Sequence, residues 1–141
     1  MELTFNYLDV FAPGFNEESC LNWVEQMFRE EELEPGDFNV IFCSDEYLYQ
    51  MNLEYLKHDF YTDIITFDYS EEDTASGDLF ISIDRVSDNA KELNILFLNE
   101  LYRVIIHGFL HLAGYKDKSG DDKLKMTEKE NYYLAKLILN E

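Results

Sequence analysis

Residues 62–83 read Thr62-Asp63-Ile64-Ile65-Thr66-Phe67-Asp68-Tyr69-Ser70-Glu71-Glu72-Asp73-Thr74-Ala75-Ser76-Gly77-Asp78-Leu79-Phe80-Ile81-Ser82-Ile83. Thr62–Tyr69 is rich in β-branched and aromatic side chains, which suit a pleated, half-buried surface. Glu71–Gly77 is polar and reads as a turn. Leu79, Ile81 and Ile83 then alternate with Phe80 and Ser82, so a second strand runs to about Ile83. Two strands joined by so short a turn pair as an antiparallel hairpin.

Outward from the hairpin, strands and helices interleave. Leu3–Leu8 is a short first strand, and Pro13-Gly14 breaks the chain after it. From Asn16, a candidate N-cap, the residues Cys20, Val24, Met27 and Phe28 fall at helical spacing. Glu30–Glu34 with Pro35-Gly36 ends that helix, and Phe38–Cys43 forms the next strand. Ser44-Asp45 caps a helix with Tyr47, Leu48, Met51 and Tyr55 on one face.

Beyond the hairpin, Asp84 or Ser87 starts a short helix over Val86, Ala90 and Leu93, and a longer helix covers Leu98–Leu112. Gly114 stands where a left-handed C-terminal residue is expected. Lys116–Lys125 reads as a polar loop, and Thr127-x-x-Glu130 as a capping box opening a last helix that buries Tyr133, Leu134, Leu137 and Ile138. Helix-separated strands combined with a hairpin predict an α+β fold, a mixed four-stranded sheet packed with about five helices. No internal repeat is found, and one domain spanning 1–141 is expected.

Composition agrees. A chain of 141 residues with 46% hydrophobic and 16% aromatic content can bury a core without a disulfide or structural metal. No apolar run approaches the roughly 18 residues of a membrane span, and no membrane partner is expected. Met1–Phe5 lacks a basic leader region, so a cytoplasmic location is expected. Cys20 and Cys43 fall in apolar helix-like and strand-like patterns and read as buried reduced thiols. The net charge is −19, and it is uneven: residues 1–84 hold 21 acidic and two basic side chains, whereas residues 85–141 hold nine of each. Such a surface excludes a generic charge-driven nucleic-acid binder but leaves room for a site on the neutral half.

The chemistry concentrates there. His107 and His111 lie four apart on the predicted long helix, which puts both imidazoles on one face, close enough to share an ion. The run continues to Gly114, three residues after the second histidine, and to Asp117, three after the glycine. The glycine lets the backbone reverse, and Asp117 returns as a third ligand. Two imidazoles and a carboxylate leave a position open for water, as a catalytic zinc site requires. The spacing is that of the metzincin peptidases, yet their general-base glutamate is replaced by Gly108. A metzincin-like metallopeptidase is therefore the least favoured of three functional readings.

The run His107-Gly108-Phe109-Leu110-His111-Leu112-Ala113-Gly114-Tyr115-Lys116-Asp117 resembles the H-G-x-L-H-L-x-G-Y-D-H signature of the YbeY family of rRNA-maturation endoribonucleases. Met51–Phe67 resembles that family's L-N-x-x-Y-R-x-x-D-x-x-T-D-V-L-S-F, and Gly77–Ser82 its G-D-I-x-I-S. The resemblance implies a metal-dependent endoribonuclease acting on single-stranded regions of rRNA in ribosomal RNA maturation and ribosome quality control. It places His107, His111 and Asp117 as both metal ligands and catalytic residues, with one zinc per chain, and makes ribosomal or small-subunit proteins expected partners.

Lys116 and Asp117 stand where the family usually has Asp and His, and two departures matter. Asp117 replaces the usual histidine, and its harder oxygen favours manganese, nickel or iron more than a third imidazole would. Leu56 replaces an arginine and cannot contact phosphate, so Lys57, His58 and Arg103 stand as alternative substitutes. Leu56 and the net charge support an alternative reading, a ribosome-associated assembly or binding factor with little nuclease activity. His58 reads as an exposed loop residue, a site-lining group or a ligand. Lys116, Lys118, Lys123, Lys125 and Lys129 read either as an RNA-backbone contact or as an offset for Asp121, Asp122, Glu128 and Glu130. Most of the ten Tyr and eleven Phe occupy core-periodic positions; the remainder could stack bases.

Overall fold

In the computed structural model, the backbone is described for residues 1–140 and side chains for residues 1–137, so the expected burial of Ile138 lies outside the described residues. Strands β1 (Glu2–Tyr7), β2 (Glu34–Cys43), β3 (Ile64–Asp68) and β4 (Thr74–Ser82) form one sheet in the order β1-β2-β4-β3. β1 pairs parallel with β2, and β2 parallel with β4. β3 returns antiparallel along β4, with Ile65 opposite Phe80 and Phe67 opposite Asp78. The helices are α1 (Glu17–Glu30), α2 (Asp45–Leu56), α3 (Ile83–Leu93), α4 (Phe97–Leu112) and α5 (Gly120–Asn140). The mixed four-stranded sheet and five helices are those expected.

The sheet is covered on both faces, as its parallel central strands require. Phe38, Val40, Phe42, Leu79 and Ile81 pack into one cluster with Val24 and Phe28 of α1, Ile105 and Phe109 of α4, and Tyr133 of α5. Cys43 and Ile65 face the other way, against Leu48 of α2. Phe38 stacks on Phe28 at 5.1 Å and meets Phe109 edge-on at 5.2 Å. Each such fully buried ring contributes roughly 1.5–3 kcal/mol. Cys20 and Cys43 are buried and free, and burial pushes both thiols up to about 12. No single helix among the described residues is long and apolar enough to cross a membrane.

The caps at Asn16 and Ser44 form as read, accepting from Ser19 N at 2.9 Å and Tyr47 N at 3.1 Å. Other boundaries differ. The strand bearing Phe38–Cys43 starts at Glu34, because a register shift between Pro35 and Phe38 absorbs the Pro-Gly pair. Ser82, and neither Asp84 nor Ser87, caps α3 by accepting from Arg85 N at 3.0 Å. α2 turns Leu48 and Asn52 inward, leaving Tyr47 and Tyr55 at 42% and 60% exposure.

The largest difference concerns α5. It starts at Gly120, so the expected polar loop is less than half as long. Ser119 and Asp122 form the reciprocal cap: Asp122 N donates to Ser119 Oγ at 3.0 Å, and Ser119 N to Asp122 Oδ2 at 3.4 Å. Thr127 and Glu130 therefore lie inside the helix, and the Glu130 carboxylate is drawn inward.

Candidate metal centre

Helix α4 is pinned to the sheet by one apolar face, including Leu101, Ile105, Phe109 and Leu112. Gly108 belongs to this face. A Cβ there would stand 2.7 Å from Ile64 Cδ1 and 2.9 Å from Leu79 Cδ1, so no carboxylate fits at the position of the metzincin glutamate.

His107 and His111, one turn apart, share the half-exposed flank, with their Nε2 atoms 3.0 Å apart. Past the helix end, Gly114 takes φ +105° and the chain reverses, with Tyr115 N donating to Leu110 O at 3.0 Å. The reversal brings Asp117 Oδ2 to 3.4 Å from His107 Nε2 and 3.5 Å from His111 Nε2.

These three atoms form a group that could hold a metal ion. Ligands about 2.0–2.2 Å from a tetrahedral zinc lie about 3.3–3.6 Å from one another, so the separations fit with little movement. Both imidazoles are also oriented for the task. His107 Nδ1 donates to Glu130 Oε2 at 2.7 Å, and His111 Nδ1 donates to the Tyr115 carbonyl at 3.0 Å. With each proton fixed on Nδ1, the Nε2 lone pairs face each other and Asp117.

Glu130 is in turn held by Arg103, whose Nη1 lies 3.2 Å from Glu130 Oε1 and whose Nε lies 3.5 Å from Glu100 Oε1. Burial opposes a charge on His107, but the Glu130 hydrogen bond and the charges of Glu130, Asp117 and Asp63 prevail and raise its pKa. Burial raises Asp63 and Glu100 above ordinary carboxyls.

Sequence reasoning missed Glu130 as part of this centre. Its signal was its place on the buried stripe of α5, with Met126, Tyr133 and Leu137: a lone carboxylate among apolar neighbours.

The centre opens into a groove of about 830 Å³, also lined by Leu56, His58, Asp63, Lys116 and Lys118. Of the three substitutes for the missing arginine, only His58 lines the groove. Arg103 is committed behind His107 to Glu100 and Glu130, and Lys57 Nζ donates to the Glu54 carbonyl at 3.3 Å.

The chain is similar to known proteins along most of its length. Residues 12–138 match the family model described as Endoribonuclease YbeY. An Endoribonuclease YbeY from Flavobacterium johnsoniae is 47% identical over 133 residues, covering 94% of this chain and 95% of that protein. Another, from Azobacteroides pseudotrichonymphae, is 44% identical over 137 residues, covering 97% of this chain and 99% of that protein. The solution structure of TM1509 from Thermotoga maritima is similar with a TM-score of 0.68 at 29% identity, covering 94% of this chain and 88% of that one.

Proposed function

The chain belongs to the Endoribonuclease YbeY family, and from that membership we propose that it is a zinc-dependent endoribonuclease cleaving single-stranded rRNA in ribosome maturation and quality control. The observation that carries this reading is the convergence of His107, His111 and Asp117 within 4.8 Å, each imidazole already turned with Nε2 inward. When bound, a divalent ion there supplies Lewis-acid polarisation of a phosphodiester oxygen and acidifies a bound water.

The remaining work falls to the protein. Glu130 and the Tyr115 carbonyl fix the imidazoles, and Gly114 sets the turn that delivers Asp117. Asp63 lines the groove beside His107, and burial keeps its proton affinity high; we assign it proton acceptance from the attacking oxygen. A single domain working in a reducing cytoplasm suits the two buried free thiols.

One observation favours a second reading, an assembly factor with little cleavage: Leu56 lines the groove and presents no guanidinium to phosphate. Elemental analysis of untagged protein, followed by incubation of wild type and His111→Ala with ribosomal RNA, separates the two. The nuclease reading expects one ion per chain and cleavage that His111→Ala abolishes. Bound metal with no cleavage by either protein supports the assembly factor. Absence of bound metal would remove the reading.

A further inference from the structure

We propose that the stacked His58–Phe60 pair is a base-stacking platform for single-stranded RNA, with Lys116 and Lys118 receiving phosphates of the same strand; this rests on the endoribonuclease reading of the groove.

Phe60 is 53% exposed, and its ring lies on the His58 imidazole at 5.1 Å and 19°. An exposed ring on a loose loop would carry little meaning, but this loop is fastened. His58 N donates to the Asn52 carbonyl at 3.0 Å, ending α2. The Asn52 side chain, 1% exposed, donates back to the Phe60 carbonyl at 2.9 Å. Tyr49 hydrogen-bonds Asp59 and stacks on Tyr61 at 4.5 Å, while the Arg85 guanidinium sits 5.3 Å from the Tyr61 ring centre. The backbone on both sides of Phe60 is held, yet its ring has no ring partner except His58 among the described residues. A fixed, exposed aromatic loses little conformational freedom when a flat base stacks on it.

Two cations unpaired among the described residues line the same groove. Arg29, Arg85, Arg103, Lys129 and Lys136 each lie against a carboxylate. Among the described residues, Lys116, Lys118, Lys123 and Lys125 form no ion pair, although Asp121, Asp122 and Glu128 are close in sequence. Their ammonium groups are thus not held in contact with those acids. Lys116 and Lys118 flank Asp117 and line the groove that also holds His58 and Phe60. A strand with a base on Phe60 and phosphates at these lysines passes the metal centre. A duplex, whose bases are stacked internally, cannot use the platform.

The test is fluorescence anisotropy of the full chain with a short, labelled 2′-O-methyl oligoribonucleotide, single-stranded or annealed to its complement. Phe60→Ala should weaken single-strand binding about 5- to 150-fold, and Phe60→Tyr should retain it. Joint Lys116→Gln and Lys118→Gln should flatten the slope of log affinity against log salt by about 0.7 per lost contact, whereas Lys91→Gln should leave it unchanged. The proposal is overturned if the wild type fails to bind the single strand, binds the duplex as tightly, or is matched by these variants. Ribosomal RNA cleavage is scored separately. Binding that depends on Phe60 and the lysines without cleavage would keep the platform and remove the nuclease; cleavage with unchanged variant affinities would do the reverse.

Discussion

Replacing Glu130 with glutamine keeps the side chain's shape and removes its charge. In the wild-type protein Oε2 accepts from His107 Nδ1 at 2.7 Å and Oε1 from Arg103 Nη1 at 3.2 Å. An amide has one oxygen, so one of these two donors must face its NH2 group instead. The Glu130 side chain is only 9% exposed, so water is poorly placed to supply the missing acceptor. The loss of one charge-assisted hydrogen bond should lower folding stability by about 1.5–3 kcal/mol. If the amide oxygen stays on Arg103, His107 no longer has an acceptor holding its proton on Nδ1. Its Nε2 lone pair is then no longer reserved for the ion. Zinc affinity should fall about 10- to 100-fold, the usual cost of losing a partner behind a metal-bound histidine. Competition against a chromophoric chelator measures the affinity, and thermal melting of metal-free protein measures the stability. A variant that melts earlier but binds zinc as tightly as wild type would refute the claim that Glu130 orients His107.

Four further outcomes are expected. In metal-free protein the raised His107 pKa contributes stability that is complete below the unfolded value near 6.5 and is lost as pH climbs through the folded value. Melting temperature should therefore drop across neutrality while metal affinity, which needs neutral imidazoles, rises. Glu31→Ala removes the acceptor for Tyr115 OH at 2.6 Å, for Lys129 Nζ at 3.1 Å and for Tyr133. It should cost about 1.5–3 kcal/mol in urea unfolding and also weaken zinc binding, because the Tyr115 carbonyl holds His111. Gly77→Ala puts a Cβ 2.4 Å from the Phe67 carbonyl oxygen and 2.7 Å from Leu112 Cδ2, and overpacking of this kind should cost about 1–3 kcal/mol in the same assay. Asp63→Asn should slow RNA cleavage by about 10²- to 10⁴-fold with metal content unchanged; full activity would remove Asp63 from proton transfer.

The features legible in the sequence were those whose physics is local. Alternation along Leu79–Ile81, the i,i+4 spacing of His107 and His111, the reversal at Gly114 and the side-chain caps at Asn16 and Ser44 each depend on a few neighbouring residues, and each stands in the structure as read, although β4 stops at Ser82 and Ile83 opens α3. The differences arise where a polar residue chooses between a local and a distant partner. Glu130 fits a capping box in sequence, but His107 and Arg103 on α4 offer it two donors in a buried setting. Asn52, on the inner face of α2, turns its amide to hold the Phe60 carbonyl at 2.9 Å. Tyr55 matched an apolar stripe and lies 60% exposed, because Leu48 and Asn52 occupy the inner face of α2. Periodicity shows that a face exists; only the packed structure shows which residue completes it.

His107, His111 and Asp117 all fall within an eleven-residue stretch. An unfolded chain thus never separates the three donors by more than a short loop, and it retains some capacity to chelate. Ligand linkage stabilises a fold only by the difference between its affinities for the two states. The metal should consequently stabilise the fold by less than its native affinity alone would supply. Glu130, arriving from a different helix, is absent from that loose chelate. Its hydrogen bond to His107 belongs to the native site alone, and so couples occupancy of the metal centre to the docking of α5.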